Sequence, residues 1–378
     1  MAPGPLDGIS VVDLTMMIAG PHCTRMLADA GAEVIKIEPP EGDPMRRRAP
    51  LRDGHSAYFG QFNTGKRSVV LDLTTHDGRG RALELISEAD VLVENYRPGV
   101  MRRFGLDYET CALRNPRLVY CSISGYGQTG PKAAHPAYAP IIGAACGFDL
   151  ANLRYQRDQS APAAVGTFVA DLHGGVVAYA AVVTALHEAR RSGAGDHLDV
   201  ALFDLMLTML PYESQAAQFG VDGGKTVYRP VRAADGFVLI AAVTDRNFRA
   251  LAAAMERPDL ITDPRFAAVT ERELHWEQLQ DLIADWVRPW TAAEVERHMH
   301  EHEVPCTRYR TLDEALADEQ VEHRGLLRPA VDESGPFRVL GTPYRSRLWP
   351  RPEKPLRVDP LGAHTDEVLG RRPNPSQR

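Results

Sequence analysis

Short apolar runs of strand length alternate with helical patterns along the first third of the chain. Valine, isoleucine and leucine fill most positions of these runs, which is typical of buried strands. The intervening segments His22–Ala30, Asp77–Ser87 and Val100–Phe104 have helical spacing. Since parallel strands need crossover helices, the alternation predicts a doubly wound α/β sheet over the first 125 residues. The predicted strands are Ile9–Leu14, Glu33–Ile37, Ser68–Leu73, Asp90–Glu94 and Leu118–Ser122.

The pattern changes in the second half of the chain. A helix is predicted over Asp199–Leu210, and glycines are frequent from Gln218 to Tyr228. A strand-like run at Gly236–Ala242 then precedes several amphipathic patterns, which predict a second, smaller α+β domain. Prolines cluster from Pro343 to Pro360 and predict an extended segment that leaves this domain. The amphipathic patterns are Phe248–Met255, Leu274–Val287 and Ala292–His302.

A single carboxylate, Asp171, lies within the otherwise uncharged stretch Ala163–His187. The following segment, Leu172–Arg190, is rich in alanine and valine and predicts a helix, so Asp171 falls at its first turn. Taken alone, this position is typical of a helix N-cap, where backbone N–H groups favour an anion. The alternative is a reactive group, because a lone acid in apolar surroundings is costly unless it is paired or used.

Composition narrows the class of protein. The chain has 378 residues, of which 44% are hydrophobic and 25% charged, as in soluble globular proteins with room for two domains. Its formal net charge of −7 does not favour a nucleic-acid partner. Five scattered cysteines without CxxC spacing predict free thiols in a reducing compartment. No signal peptide or uninterrupted membrane-spanning run is evident, so we expect a cytoplasmic protein without a membrane partner.

Other candidate sites are weaker. The first strand–helix–strand unit, residues 9–37, has no GxGxxG dinucleotide fingerprint. The histidines of HMHEH, at positions 298, 300 and 302, include an i,i+4 pair, but no third ligand follows at metal-site spacing, so a solvated helix end is favoured over a metal site. The run Arg46–Arg48 is a phosphate-binding candidate, although solvated loop arginines are the commoner case. Cys306 lacks an evident base and is interpreted as a buried thiol.

A series of motifs across the chain resembles the family III CoA-transferases. This family includes formyl-CoA and carnitine CoA-transferases and the α-methylacyl-CoA racemases. The motifs occur in the family's order and spacing, and their number makes the resemblance specific. They are LDGISVVDLT (Leu6–Thr15), AGP (Ala19–Pro21), GAEVIKIE (Gly31–Glu38), NTGKRSVVLDL (Asn63–Leu73), DVLVENYRPGVMRRFGL (Asp90–Leu106), SGYGQTGP (Ser124–Pro131), the Asp171 segment, SGAGDHLDVALFD (Ser192–Asp204), VPC (Val304–Cys306) and GAHTDEVL (Gly362–Leu369).

The resemblance implies a Rossmann-like large domain, a smaller α+β domain and a homodimer of interlocked rings. On this basis the large domain covers residues 1–205 and is completed by residues 340–378. Residues 206–228 form a linker, residues 229–318 the small domain and residues 319–339 a return linker. The glycine-rich segment Gln218–Tyr228 and the proline-rich segment Pro343–Pro360 agree with this arrangement.

The resemblance also assigns chemistry. The family nucleophile aligns with Asp171, which replaces the N-cap interpretation. It would exchange CoA between an acyl-CoA and a free carboxylic acid through an aspartyl anhydride and an aspartyl-CoA thioester, without a metal. Coenzyme A enters as a co-substrate, and Arg103 is the expected cation for one of its phosphates. The CoA-binding positions are Met17, Ile18, Leu71, Thr74, Asn95, Tyr96, Arg103 and Phe104.

Departures from the family pattern keep two alternatives open. In the racemases a histidine aligns with Tyr138 and an acid with Ala139, while His135 lies three residues earlier. A shifted loop would let His135 join Tyr138 in the substrate pocket, so 2-methylacyl-CoA racemisation is one alternative to CoA transfer. A CoA-ester-binding protein without transferase activity is the other. Gly223–Gly224 is the only counterpart of the family's glycine-rich loop, and Met16–Ile18 predicts a more apolar acyl pocket.

Overall fold

The computed structural model of the protein describes residues 4–156, 159–220, 227–242, 244–349 and 354–370. The predicted glycine loop at Gly223–Gly224 lies outside these residues. Contacts divide the chain into two compact units, residues 1–219 with 322–378, and residues 220–321. Segment 206–228, predicted as a linker, contains a helix at Pro211–Phe219. Segment 319–339, predicted as the return linker, contains a strand at Leu327–Asp332.

The amino-terminal part of the first unit alternates strands with helices. Its strands are β1 (Ser10–Leu14), β2 (Glu33–Glu38), β3 (Leu51–Arg52), β4 (His55–Ser56), β5 (Arg67–Val70), β6 (Val91–Glu94), β7 (Val119–Ser124) and β8 (Asp196–Ala201). Its helices are α1 (Ala19–Asp29), α2 (Ala57–Asn63), α3 (His76–Glu88), α4 (Val100–Phe104), α5 (Tyr108–Arg114), α6 (Ala139–Ala145), α7 (Phe148–Leu153), α8 (Val169–Ser192), α9 (Leu202–Thr208) and α10 (Pro211–Phe219). A 3-10 helix covers Pro44–Arg47.

The second unit is a small α+β fold, as predicted. Its three-stranded antiparallel sheet has the order β11-β10-β9, and helices pack on it around an apolar core. Its elements are β9 (Val231–Arg232), β10 (Phe237–Ile240), α11 (Asp245–Ala254), a 3-10 helix (Pro258–Ile261), α12 (Val269–Leu274), α13 (Trp276–Val287), α14 (Ala292–Glu301), β11 (Cys306–Arg308) and α15 (Leu312–Leu316). The chain continues through α16 (Glu319–Arg324), β12 (Leu327–Asp332), β13 (Gly335–Leu340), β14 (Leu356–Arg357) and α17 (Thr365–Gly370).

A six-stranded parallel sheet forms the centre of the first unit, in the order β5-β2-β1-β6-β7-β8. Successive side chains of each strand point to opposite faces of the sheet and pack into two separate apolar cores. Val11 and Val93 belong to the core on the side of α1 and α8, whereas Val12 and Leu92 belong to the core on the side of α3 and α5. The strand order reverses between β1 and β6, and ligands of open α/β sheets bind beyond the carboxyl ends of the strands at such a reversal. A ligand site is therefore expected at the carboxyl ends of β1 and β6.

The predicted parallel sheet is confirmed, with one strand missed. β8 covers Asp196–Ala201, and the helix predicted over Asp199–Leu210 begins only at Leu202. β8 is an edge strand that pairs only with β7, and its first four residues are exposed or half-buried. Its polar residues DHLD therefore do not show the continuous apolar run by which the buried strands are predicted.

The central helix α8 packs closely on α1. A Cβ at Gly174 would lie 2.5 Å from Leu202 Cδ2, and a Cβ at Gly175 would lie 2.8 Å from the Ala19 carbonyl oxygen. These two glycines are therefore needed for helix packing. By length and composition alone α8 would be able to cross a membrane, and it is the one helix of the described residues with this property. Here it lies against the sheet as a core helix of the first unit.

Candidate active site

Asp171 lies in the first turn of α8, which begins at Val169, three residues earlier than predicted. The N-cap residue is Phe168, whose side chain makes no capping hydrogen bond, so the interpretation of Asp171 as an N-cap is wrong. The first i→i−4 bond of the helix runs from Leu172 N to the Phe168 carbonyl oxygen over 3.0 Å. The N–H groups before it have no helical acceptor, and this end of the helix favours an anion.

Asp171 is partly shielded from water, and no cation among the described residues perturbs its pKa. The side chain is half-buried, and among the described residues its carboxylate makes no hydrogen bond or ion pair. Burial raises the pKa of Asp171 to about 6. Tyr58 lies close by, since burial raises the pKa of its phenol and the Asp171 carboxylate raises it further. An ionised acid that nothing neutralises or solvates fully is a reactive nucleophile or base.

The loop between β1 and α1 borders Asp171. Leu172, the next residue of α8, packs in one apolar cluster with Met17, Ile18 and Tyr58. Met17 has a left-handed backbone with φ of +69°, which is strained for a residue with a side chain. Asn95, at the end of β6, holds this loop: its side-chain amide accepts from Met16 N at 2.8 Å and donates to the Met16 carbonyl oxygen at 2.7 Å. Three predicted positions, Met17, Ile18 and Asn95, therefore meet at the sheet reversal.

A buried charged network, which was not predicted from the sequence, lies under the same loop. Lys36 Nζ donates to the Thr15 carbonyl oxygen at 2.7 Å and lies 3.1 Å from Asp43 Oδ2. Asp43 Oδ1 accepts from Met17 N at 3.4 Å. Lys66 Nζ donates to Asp13 at 3.0 Å and to the Pro21 carbonyl oxygen at 3.0 Å. The network fixes the backbone on both sides of the strained Met17.

The remaining predicted CoA positions lie at the carboxyl edge of the sheet or just beyond it. Leu71 is buried and Thr74 is exposed, both after β5. Tyr96 follows β6 and packs edge-to-face against Phe104 of α4, with ring centroids 6.0 Å apart. The Arg103 side chain is exposed on α4. The structure brings Tyr96 and Phe104 into contact, while Thr74 and Arg103 make no hydrogen bond or ion pair with Asp171 among the described residues.

The two predicted substrate-pocket residues lie before α6. Tyr138 is the N-cap residue of α6 and is 66% exposed. His135 is exposed and packs edge-on against Tyr126, with ring centroids 6.1 Å apart. Neither side chain makes a hydrogen bond or ion pair with Asp171 among the described residues.

Two residues near Asp171 were missed in the sequence. His22 Nδ1 lies 3.2 Å from the Leu172 carbonyl oxygen, and burial lowers the pKa of this imidazole, so it is neutral. The signal for His22 was its place directly after the AGP motif. Tyr58 lies in α2, in a segment with no recognisable motif, and only the fold brings it to Asp171.

The weaker candidates have structural partners. Arg46 binds Glu38 through two nitrogens at 2.7 Å each. The three histidines of HMHEH each place a ring nitrogen within 2.9 Å of a backbone carbonyl oxygen, and the described residues contain no group of three or more metal-ligating side chains. Burial raises the pKa of Cys306 to about 12, so it is a protonated thiol. All five cysteines are free, as predicted.

If Asp171 is the reacting group that the sequence resemblance implies, the pH dependence of activity should follow its protonation. Because burial raises its pKa to about 6, the carboxylate is protonated and unreactive at lower pH. We expect kcat/KM to be level above about pH 7 and to fall about tenfold per pH unit below pH 6. The control is an acyl-pantetheine thioester, which lacks the phosphates of CoA and their titration. A profile that stays level down to pH 5 with both thioesters would contradict a half-buried reacting carboxylate.

Comparison with known proteins identifies the class. The model of CoA-transferase family III matches residues 6–365. The chain therefore belongs to CoA-transferase family III and is an acyl-CoA:carboxylate CoA-transferase, a class that uses CoA thioesters as co-substrates.

Individual relatives cover nearly the whole chain. Succinate–glutarate CoA-transferase of Agrobacterium fabrum is 34% identical over 97% of this chain and 95% of its own. Acetyl-CoA:oxalate CoA-transferase of Acetobacter aceti is 36% identical over 95% of this chain and 94% of its own. Among solved structures, a CAIB/BAIF family protein from Brucella suis is 32% identical, with a TM-score of 0.81 over 98% of this chain and 100% of that chain.

Proposed function

We propose that Asp171 is the nucleophile that carries CoA from an acyl-CoA donor to a carboxylic acid acceptor. The single observation that supports this most strongly is a half-buried carboxylate at the start of α8 that has no hydrogen-bond or ion-pair partner among the described residues. A carboxylate held in this way is ionised at neutral pH and weakly solvated, which are the conditions for attack on a thioester.

The reaction proceeds in two symmetrical halves. An oxygen of Asp171 attacks the donor thioester carbonyl, the C–S bond breaks, and a mixed anhydride and CoA thiolate result. The thiolate attacks the aspartyl carbonyl, which releases the donor acid as its carboxylate and leaves an aspartyl-CoA thioester. The acceptor carboxylate then attacks this thioester, and the returning thiolate attacks the acyl carbonyl of the second anhydride. This regenerates the Asp171 carboxylate and yields the new acyl-CoA.

The neighbouring loop supplies the rest of the site. Met17 and Ile18 would contact the thioester end of CoA beside Asp171, and Asn95 holds the backbone of the preceding residue, Met16. Tyr96, Phe104, Leu71 and Thr74 would border the nucleotide portion at the carboxyl edge of the sheet. The exposed guanidinium of Arg103 would bind a CoA phosphate, because it can donate two parallel hydrogen bonds to phosphate oxygens.

A homodimer is part of the proposal. Several large apolar side chains of the first unit are exposed, including Ile141 of α6, Leu150 of α7, Val176 of α8 and Leu207 of α9. Exposed apolar surface of this kind marks association sites, and a second, interlocked copy of the chain would cover it. The free thiols fit a cytoplasmic location. Analytical ultracentrifugation at micromolar concentration tests the dimer. A protein that sediments as a monomer would contradict it.

The proposed activity can be tested without knowing the natural substrates. An acyl-CoA is incubated with a ¹³C-labelled free acid, and label in the CoA ester is followed by mass spectrometry. We expect label in the ester and, when hydroxylamine is added during turnover, an aspartyl hydroxamate at Asp171. The same incubation in heavy water with a 2-methylacyl-CoA tests racemisation, which exchanges the α-hydrogen. Deuterium uptake without CoA transfer would establish the racemase alternative. If neither labelled ester nor deuterium uptake is found, the protein binds CoA esters without transferring CoA.

A further inference from the structure

A cavity of about 210 Å³ lies beside the start of α8. Its walls are mostly apolar and come from four helices and from the segment before α8. Met206 of α9 and Ala139 of α6 face it, together with Phe148 of α7, Val165 and Val169. All of these residues belong to the first unit. One charged side chain, Asp149, lines the same cavity.

The cavity is next to the proposed nucleophile. Val169 and Ala170 line it and immediately precede Asp171 in the same helical turn. The Asp171 side chain is not itself part of the lining, so an acyl group joined to it would reach the cavity by extending past the first turn of α8. The cavity has room for an acyl chain of several carbons, and it is partly open to solvent.

Asp149 gives the cavity a selective charge. Its Oδ1 lies 3.2 Å from the position that a Cβ would take at Gly143, so the absence of a side chain at Gly143 leaves room for the carboxylate in the wall. Among the described residues, Asp149 has no hydrogen-bond or ion-pair partner. A second carboxylate at the far end of an acyl chain would be repelled by this group, whereas a neutral hydrogen-bond donor would find an acceptor.

We infer that this cavity selects monocarboxylic acyl groups that carry an apolar body and a neutral hydrogen-bond donor, such as an amide or a hydroxyl, at the far end. A distal carboxylate is disfavoured. This inference rests on the proposed role of Asp171, because that role places the acyl group beside the cavity. It sets this chain apart from the relatives whose names specify succinate, glutarate or oxalate.

Three acids of nearly equal shape test the inference. They differ only in the group at carbon 4, which is a carboxylate in succinate, an amide in succinamate and a carbon with two methyl groups in 4-methylpentanoate. Each is ¹³C-labelled and exchanged with its own unlabelled CoA ester, so that no second substrate is needed. We expect kcat/KM to be at least about tenfold higher for succinamate than for succinate, with 4-methylpentanoate between them.

The decisive variant is Asp149→Asn. This variant should raise kcat/KM for exchange of succinate about tenfold and reduce the ratio of kcat/KM between succinamate and succinate. The value of kcat/KM for 4-methylpentanoate should stay within about twofold of wild type. Glu188→Gln, which removes an exposed carboxylate near the other end of α8, should change none of the three rates. The inference is overturned if wild-type protein prefers succinate, if Asp149→Asn shifts all three acids alike, or if none of them exchanges in an enzyme that transfers CoA between other acids.

This test separates the cavity from the nucleophile. If Asp171→Asn still exchanges label, the proposed function fails even where the order of the three acids is as expected. If Asp171 is trapped as its hydroxamate with all three acids at equal rates, the nucleophile stands and the inference about the cavity fails.

Discussion

Asp171→Asn is expected to reduce CoA transfer by about 10⁴-fold or more, on the scale of losses when a covalent nucleophile is removed. The amide cannot form the anhydride or return CoA through a thioester. Binding of CoA should be retained within a few-fold, because the proposed CoA contacts lie in the β1–α1 loop, after β5 and β6, and on α4. Label exchange measures the first quantity and titration calorimetry with CoA the second.

The variant is also expected to be well folded. Burial raises the pKa of Asp171 to about 6, so the folded state binds this proton more tightly than the unfolded state. The unfavourable contribution of the ionised carboxylate therefore grows as pH rises from about 4 to 6 and remains above that pH. Replacing it with an amide should leave the melting temperature at pH 8 equal to or above that of wild-type protein.

Asp204→Asn is the matched control for this prediction. Asp204 is also in the first turn of a helix, α9, but its side chain is exposed. This variant should keep full activity. Transfer that survives in Asp171→Asn, and also in Asp171→Ala, where deamidation cannot restore the acid, would contradict the proposed mechanism.

Asp13→Asn is expected to lower the free energy of unfolding by about 3–5 kcal/mol at pH 7, the usual result of removing one partner of a buried ion pair. Asp13 is fully buried and accepts from Lys66 Nζ at 3.0 Å and from Thr24 Oγ1 at 2.7 Å. Burial opposes ionisation, but the ammonium groups of Lys66 and Lys36 outweigh it and hold the pKa of Asp13 well below its usual range. Without this carboxylate, Lys66 retains the attraction of Asp43, and Lys36 that of Asp43 and Glu38.

The contribution of Asp13 to the free energy of unfolding depends on pH. Because the folded pKa of Asp13 is depressed, its contribution is present in full above about pH 4 and is lost progressively as pH falls. The stability difference between wild-type protein and Asp13→Asn, measured by urea unfolding at one protein concentration, should therefore narrow below about pH 4.

Two variants calibrate the size of the effect. Thr24→Val removes one hydrogen bond to Asp13 and should cost about 1 kcal/mol. Glu188→Gln removes an exposed ion pair to Arg191 of 2.7 Å and should cost less than about 1 kcal/mol. An Asp13→Asn variant no less stable than Glu188→Gln would show that the buried network does not hold the loop in place.

The candidate site was predictable only in part. Asp171 could be found because a carboxylate in an uncharged stretch is conspicuous in a sequence, and the motif ENYRPG pointed to Asn95 and Tyr96. The partners of these residues could not be found in the same way. Tyr58, Lys36 and Asp43 are 113 or more residues away from Asp171 along the chain, and their side chains are common types in ordinary surroundings. Folding alone brings them under and beside one loop.

The sequence by itself determined the parallel α/β core, the small α+β unit and the isolated acid at the start of a long apolar helix, because local periodicity and charge carry that information. The tertiary structure decided that β8 closes one edge of the sheet, that Phe168 rather than Asp171 occupies the N-cap position of α8, and that an apolar cavity with one carboxylate lies beside the start of α8. These features depend on which distant side chains exclude water from one another, a property of the packed chain that no local pattern encodes.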